Sequence, residues 1–256
     1  MDSHGDTVQR QFDPQAHAYL HSVVHARGPD LEQARALVSA AVRPDGAAVD
    51  VGCGAGHLSF VLARCLQCVV AVDPSPQMLA AVEQAAAAQG LHTIQTRQAC
   101  AESLPFETGS FALAATRYSA HHWTRLETAM HELHRVLEPG GYLLMIDVEG
   151  HEDTLADTHL QTLELLRDRS HVRDRSVRQW CALLSETGFE HIAHRRWPLH
   201  LRFEPWIQRM RTPAANVQMI RSLQRDAPAE VQRALSFEPD GSFTLHTSLF
   251  WARKAA

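Results

Sequence analysis

Asp50, Gly52, Gly54, Gly56 and Asp73 are the residues of this chain whose types and spacing best suit a ligand site. Four of them lie in "VDVGCGAGHLSF", residues 49–60, where an apolar run hands over to a helical pattern. A strand that enters a glycine-rich turn and then a helix makes a nucleotide-type site. Glycines permit tight dihedrals and let a ligand touch the backbone. Asp73 ends the next apolar run, "CVVAVD", and a carboxylate there can take both hydroxyls of a ribose. The turn reads G-x-G-x-G, and His57 stands where a dinucleotide fingerprint needs its third glycine. Asp50, just before the turn, can bind an ammonium group. The residues therefore point to an adenosine-containing cofactor that carries such a group, which disfavours NAD.

A second constellation follows the fourth strand-like segment. "RYSAHHW", residues 117–123, supplies Tyr118, His121 and His122. Ligands of open α/β sheets bind at that edge, and imidazole is suited to take a proton near neutral pH. These three are the catalytic candidates, and all three also line the acceptor pocket. The bland alternative is that the histidines shape the loop or cap the next helix. "RDRSHVRDRS", residues 167–176, reads as a solvated or ion-paired charge run. Trp206 and Met210 recur at helical spacing, so Trp206 is either core or a substrate wall. No metal is expected. "CLQC", residues 65–68, has no second pair to complete a zinc site, and "HELH", residues 131–134, has its histidines three apart.

The elements that must position these groups alternate. Strand-like runs occupy 47–51, 68–73, 92–99, 110–117 and 141–148. Helical patterns lie between them, and Leu126, Met130, Leu133 and Leu137 recur at helical spacing. "EPGG", residues 138–141, reads as a helix end turning into a strand. Such alternation implies βαβ units and a parallel sheet covered on both faces. After residue 150 come two helices with a charged break, then two closing strands, "RRWPLHLRF" and "GSFTLHTSLFWAR". Between those strands a helical insert, about 205–235, is too long for a hairpin loop and reads as a cap.

The chain has 256 residues and 45% hydrophobic composition, enough for one substantial α/β domain. Twenty-nine acidic against 24 basic residues give a formal net charge of -5, with no basic stripe for nucleic acid. No apolar run is long enough to span a bilayer. The polar start does not read as a signal peptide. Five dispersed cysteines suit a reducing compartment. The expectation is a cytoplasmic protein with no nucleic-acid or membrane partner, a monomer or homodimer.

With Asp50, the glycine turn, Asp73, "CAESLPF" and "LEPGGYLLM" in this order and spacing, the chain resembles the class I S-adenosylmethionine-dependent methyltransferases. It is most similar to their ubiquinone/menaquinone-type small-molecule branch. The resemblance runs from "FDPQAHAYL" to the C-terminus. It implies a Rossmann-like seven-stranded sheet, mostly parallel with the last strand antiparallel, helices on both faces and a helical cap. The whole chain, 1–256, is then one methyltransferase domain. Residues 1–30 form an N-terminal lid helix, 40–150 the cofactor-binding core and 151–256 the substrate-side helices, cap and closing strands. The implied cofactor is S-adenosyl-L-methionine, with S-adenosyl-L-homocysteine as product. By the same resemblance Asp50, Gly52, Gly54 and Gly56 hold the methionine part, Asp73 the ribose and Met78 the adenine, with Cys53 and Pro74 in the same cofactor-binding set. "CAE" matches a segment that usually reads Asp-Ala-Glu, so Ala101 and Glu102 belong to the cofactor set. Cys100 replaces the Asp, and the adenine contact there is lost or passes to the backbone. Arg117 completes the set. Only by this resemblance does the charge run 167–176 border the acceptor site, which makes His171 and Arg173 candidate substrate contacts. The resemblance also folds the N-terminal segment over the cofactor, with Tyr19 a candidate pocket residue and Phe12 its anchor. The implied activity is methyl transfer to a small metabolite, with a heteroaromatic nitrogen or phenolic oxygen favoured. A quinone-like ring carbon, tRNA, or a non-catalytic donor-binding module are alternatives.

Overall fold

A computed structural model describes residues 3–15 and 28–255. Tyr19 lies outside the described residues. Seven strands form a single sheet: β1 (Ala47–Val51), β2 (Cys68–Asp73), β3 (Ile94–Gln98), β4 (Phe111–Arg117), β5 (Leu137–Val148), β6 (Phe189–Leu201) and β7 (Phe243–Lys254). Their order is β3-β2-β1-β4-β5-β7-β6. The first five pair in parallel, and β7 runs antiparallel to both β5 and β6. This is the sheet expected from the resemblance.

The inner strands are buried on both sides because helices cover both faces, whereas the edge strands β3 and β6 are partly exposed. Along β5, Leu143 and Met145 join one core cluster with Trp180 and Leu184. Their neighbours Leu144 and Ile146 join the opposite cluster, the period of two that a pleated strand imposes. On the first face lie α5 (Leu126–Val136) and α7 (Val177–Glu186); on the second lie α2 (Pro29–Ala41) and α3 (His57–Ala63). The remaining described helices are α1 (His4–Phe12), α4 (Pro76–Ala88), α6 (Thr154–Arg167), α8 (Phe203–Arg209), α9 (Ala214–Arg225) and α10 (Ala229–Leu235).

The insert is thus three short helices, α8 to α10, opening at Phe203. They pack on α6 and the ends of β6 and β7 through Leu160, Leu163, Trp206, Ile220, Val231 and Phe243. Two boundaries differ from expectation. "EPGG" is not a free turn: β5 starts at Leu137, which pairs with Phe111, and pairing resumes at Tyr142 with Leu113. Gly140 at φ 78° permits that bulge, where a side chain is disfavoured. β6 begins at Phe189, ahead of "RRWPLHLRF", because it zips along β7 as far as Lys254.

Candidate active site

The turn after β1 is held on all sides. Gly52 and Cys53 both donate N–H to the Val72 carbonyl, at 2.8 and 2.9 Å. Gly52 (φ 68°), Gly54 (φ 51°) and Gly56 (φ 87°) all adopt left-handed backbone. A Cβ on Gly52 would fall 1.9 Å from Ser119 Oγ, whereas one on Gly54 would meet nothing within 4 Å. Gly54 therefore presents bare backbone to open space.

Asp50 is fully buried beneath this turn. Its Oδ2 accepts from Ser59 Oγ at 2.6 Å, and its Oδ1 has no partner. Burial pushes the carboxyl up to about 7, against the lowering effects of Ser59 and Arg117. An orphaned buried carboxylate oxygen fits an incoming ammonium group. Asp73 is prepared differently. Its Oδ2 accepts the Gly54 N–H and its Oδ1 the Ser75 N–H, each at 2.9 Å. The carboxylate is fixed in orientation, and each oxygen keeps a lone pair for a hydroxyl. Burial lifts it to about 6, moderated by those two bonds.

Pro74, next to Asp73, gives its carbonyl to Gln9 Nε2 at 2.9 Å. Met78 packs with Ala55 and Phe12, forming an apolar slot that fits a flat base. Buried Ala101, Glu102 and exposed Cys100 border the slot. Cys53 also reaches the cavity. Burial raises its thiol well above the usual range, so it is a neutral wall.

The acceptor end is built where β4 stops. Arg117 lines the cavity, with its Nε donating to Asp30 Oδ2 at 2.6 Å in a pair with both side chains 6% exposed. Tyr118 turns the chain at φ 52°, and its hydroxyl meets Thr247 Oγ1 at 2.8 Å. A 3-10 turn, Ala120–His122, follows. His121 Nδ1 lies 2.6 Å from Asp147 Oδ1, and its backbone N–H donates to Asp147 Oδ2 at 3.1 Å. Burial opposes charge on this ring, but Asp147 prevails and lifts it to about 9. His122 moves the other way, to about 4, through burial and the neighbouring His121. The two rings lie 4.1 Å apart; Asp147 moves His121 up and burial with His121 moves His122 down, so neither keeps the near-neutral value that a free imidazole would show.

A cavity of about 420 Å³ runs from the glycine turn to these residues. It holds together Asp50, Gly52, Cys53, Gly54, Asp73, Pro74, Met78, Ala101, Glu102, Arg117, Tyr118, His121, His122 and Trp206, leaving Gly56 one position outside. Gly56 instead caps α3 from the left-handed region, where a side chain would press on Val82 and Phe60. His171 and Arg173 do not line the cavity. His171 Nε2 pairs with Gln161 Oε1 at 2.8 Å, and Arg173 pairs with Asp157 at 2.6 Å. That loop reaches the site through the Asp168 and Asp174 side chains, which line the cavity, and through backbone: the Val172 and Arg173 N–H groups both donate to the His121 carbonyl.

α1 closes one side of the cavity with His4, Gly5, Val8, Gln9 and Phe12. Phe12 meets His122 edge-on at 5.1 Å, and His4 Nε2 reaches the His122 carbonyl at 3.1 Å. Trp206 and Met210 close another side, and Gln11 Nε2 donates to the Met210 carbonyl at 2.8 Å, tying α1 to the cap. Sequence reasoning missed Asp30, Asp147, Glu164, Asp168 and Asp174. Asp30, Asp147 and Glu164 carry no local motif, Asp168 and Asp174 lie inside the charge run 167–176 without standing out from it, and only the topology gathers them.

Residues 49–145 match the family described as "Methyltransferase domain". YafE of Escherichia coli (strain K12) is 41% identical over 203 residues, 78% of this chain and 97% of that protein. The uncharacterized methyltransferase YcgJ of Bacillus subtilis (strain 168) is 33% identical over 208 residues, 81% of each chain. The crystal structure of YcgJ superposes with a TM-score of 0.81 at 30% identity, over 88% of this chain and 99% of that one. Protein BH2331 of Bacillus halodurans C-125 gives 0.85 at 28% identity, over 90% and 100%. No described helix is long and apolar enough to cross a membrane. The glycine turn, the orphaned Asp50 oxygen and the fixed Asp73 carboxylate fit the donor of this family, and the chain belongs to the class I S-adenosylmethionine-dependent methyltransferases.

Proposed function

We propose that this methyltransferase acts on a small metabolite, at a heteroaromatic nitrogen or a phenolic oxygen. The carrying observation is that one cavity of about 420 Å³ contains both the donor residues and Tyr118, His121, His122 and Trp206. That volume lies in the range of small-molecule sites. In this reading Asp50 takes the donor's ammonium, Asp73 its ribose and Met78 its adenine. Methyl transfer is an in-line displacement at an activated sulfonium, so the chain chiefly orients the acceptor and excludes water. α1 and α8 supply the cover. His122 orients the acceptor: its Nδ1 faces the Ser170 carbonyl at 2.9 Å, which only accepts, so the proton sits there and Nε2 is an acceptor for an O–H or N–H.

The test is transfer from a methyl-labelled donor into small-metabolite and total-RNA fractions. Label in a small molecule, at a rate nearly constant between 50 and 300 mM salt, supports the reading. Label in RNA with steep salt dependence overturns it.

The Asp50 assignment carries a pH dependence. The groups facing it are Ser59 from α3, Arg117 from β4 and Asp73 from β2. With its carboxyl near 7 before ligand binds, protons compete with the ammonium below that value. S-adenosylhomocysteine is expected to bind at least about tenfold more tightly at pH 7.5 than at pH 5.5. Calorimetry across that range checks it, and a flat profile removes Asp50 from the ammonium site.

A further inference from the structure

Behind the acceptor wall, three groups from separate parts of the chain converge. His121 follows β4, Asp147 sits near the end of β5, and Asp174 lies in the loop before α7. One ligand-type atom of each lies within 4.8 Å of the other two. Both carboxylates are 2% exposed, and His121 and Asp174 line the cavity. Asp147 is well supplied with donors: His121 Nδ1 and the N–H groups of His121 and Val148. Asp174 is not, because its buried Oδ2 has no partner.

The local cations do not answer that demand. Arg173, one residue before, pairs with Asp157. Arg175, one residue after, donates to the Arg173 carbonyl and lies over the Trp180 ring. Arg167 pairs with Glu164. Asp168 is held by the N–H and hydroxyl of Ser170. Two buried carboxylates therefore stand beside one imidazole, which pairs with Asp147, and the Asp174 Oδ2 oxygen has nothing to bind. A buried ionised carboxylate is stable when paired or coordinating a metal.

We propose that His121, Asp147 and Asp174 form a divalent-cation site at the floor of the acceptor pocket. One imidazole and two carboxylates are borderline-to-hard donors that suit Mn²⁺ or Zn²⁺. Three protein ligands would leave coordination positions open, and two of the three, His121 and Asp174, line the cavity. The proposal goes beyond the methyl-transfer reading and does not rest on it: the chain can bind donor at Asp50 and Asp73 whether or not a cation sits here. It departs from the expectation of no metal, because residues 121, 147 and 174 have no ligand spacing in sequence.

The experiment uses the full chain, stripped with chelator and titrated with Mn²⁺, free Mn²⁺ being read by its electron paramagnetic resonance signal. One equivalent is expected to bind. Asp174→Asn, which keeps the side-chain shape, is expected to weaken binding by about tenfold or more, with S-adenosylhomocysteine affinity unchanged as proof of an intact fold. His121→Ala carries the same comparison if Asp174→Asn fails to fold. Absence of binding at 1 mM Mn²⁺, or equal binding by wild type and both variants, overturns the site. Loss of donor binding by wild-type chain with Mn²⁺ binding retained would instead defeat the Asp50 and Asp73 assignments alone.

Discussion

Asp73→Ala is expected to weaken S-adenosylhomocysteine binding by about 2–3 kcal/mol, roughly 30- to 160-fold at 25 °C. The substitution removes a bidentate, charge-assisted contact to two ribose hydroxyls. It also frees the Gly54 and Ser75 N–H groups, which now hold the carboxylate in place. Asp73→Asn separates the two effects. The amide keeps one acceptor and the side-chain shape but replaces the other acceptor with a donor, facing an N–H that also donates. Its loss is expected to fall between those of wild type and Asp73→Ala. Calorimetry with the product is the measurement, since turnover would mix donor binding with chemistry. Wild-type affinity in Asp73→Ala would remove the ribose assignment, and with it the argument that linked the glycine turn to the second strand.

That link was legible because it is local. Asp50, the three glycines and Asp73 mark the carboxyl ends of two adjacent parallel strands, where the spacing along the chain fixes the spacing in space. The sheet was legible for the same reason: apolar runs near the length of a strand, separated by helical periods, leave few topologies. α2 escaped notice, although it places Asp30 against Arg117. Its sequence, "PDLEQARALVSAA", has a modest apolar stripe that no nearby motif draws attention to. The acceptor side was legible only in part. Tyr118, His121 and His122 follow a strand end, so a general rule finds them. Asp147 and Asp174, which complete that wall, come from the end of β5 and a loop. His171 and Arg173 were drawn in by their charge run, but their side chains turn to Gln161 and Asp157, while Asp168 and Asp174 of the same run face the cavity. Charge along a chain does not say which way a side chain turns.

Gly52 and Gly54 share left-handed backbone, so a propensity argument treats them alike. The structure separates them. Ala at either position bears a strain of about 1–2 kcal/mol. At Gly52 the added Cβ also lies 1.9 Å from Ser119 Oγ and 2.6 Å from Ser119 Cβ. Ser119 cannot yield easily, because Trp123 Nε1 donates to its hydroxyl at 3.2 Å and its neighbour Tyr118 is already at φ 52°. Overpacking of this kind adds about 1–3 kcal/mol. Gly52→Ala is therefore expected to lower the melting temperature by on the order of 10 °C, and to displace the 118–123 loop that carries both histidines. Gly54→Ala meets no atom within 4 Å, so its melting temperature is expected to fall far less. Its methyl projects into the donor cavity, and product binding is where its loss appears. Thermal melts and calorimetry on both variants distinguish a glycine required for packing from one required for ligand approach. Gly52→Ala combined with Ser119→Gly is expected to recover most of the packing loss while the backbone strain remains. A double variant as unstable as Gly52→Ala alone would show that the contact with Ser119 is not what excludes a side chain at Gly52.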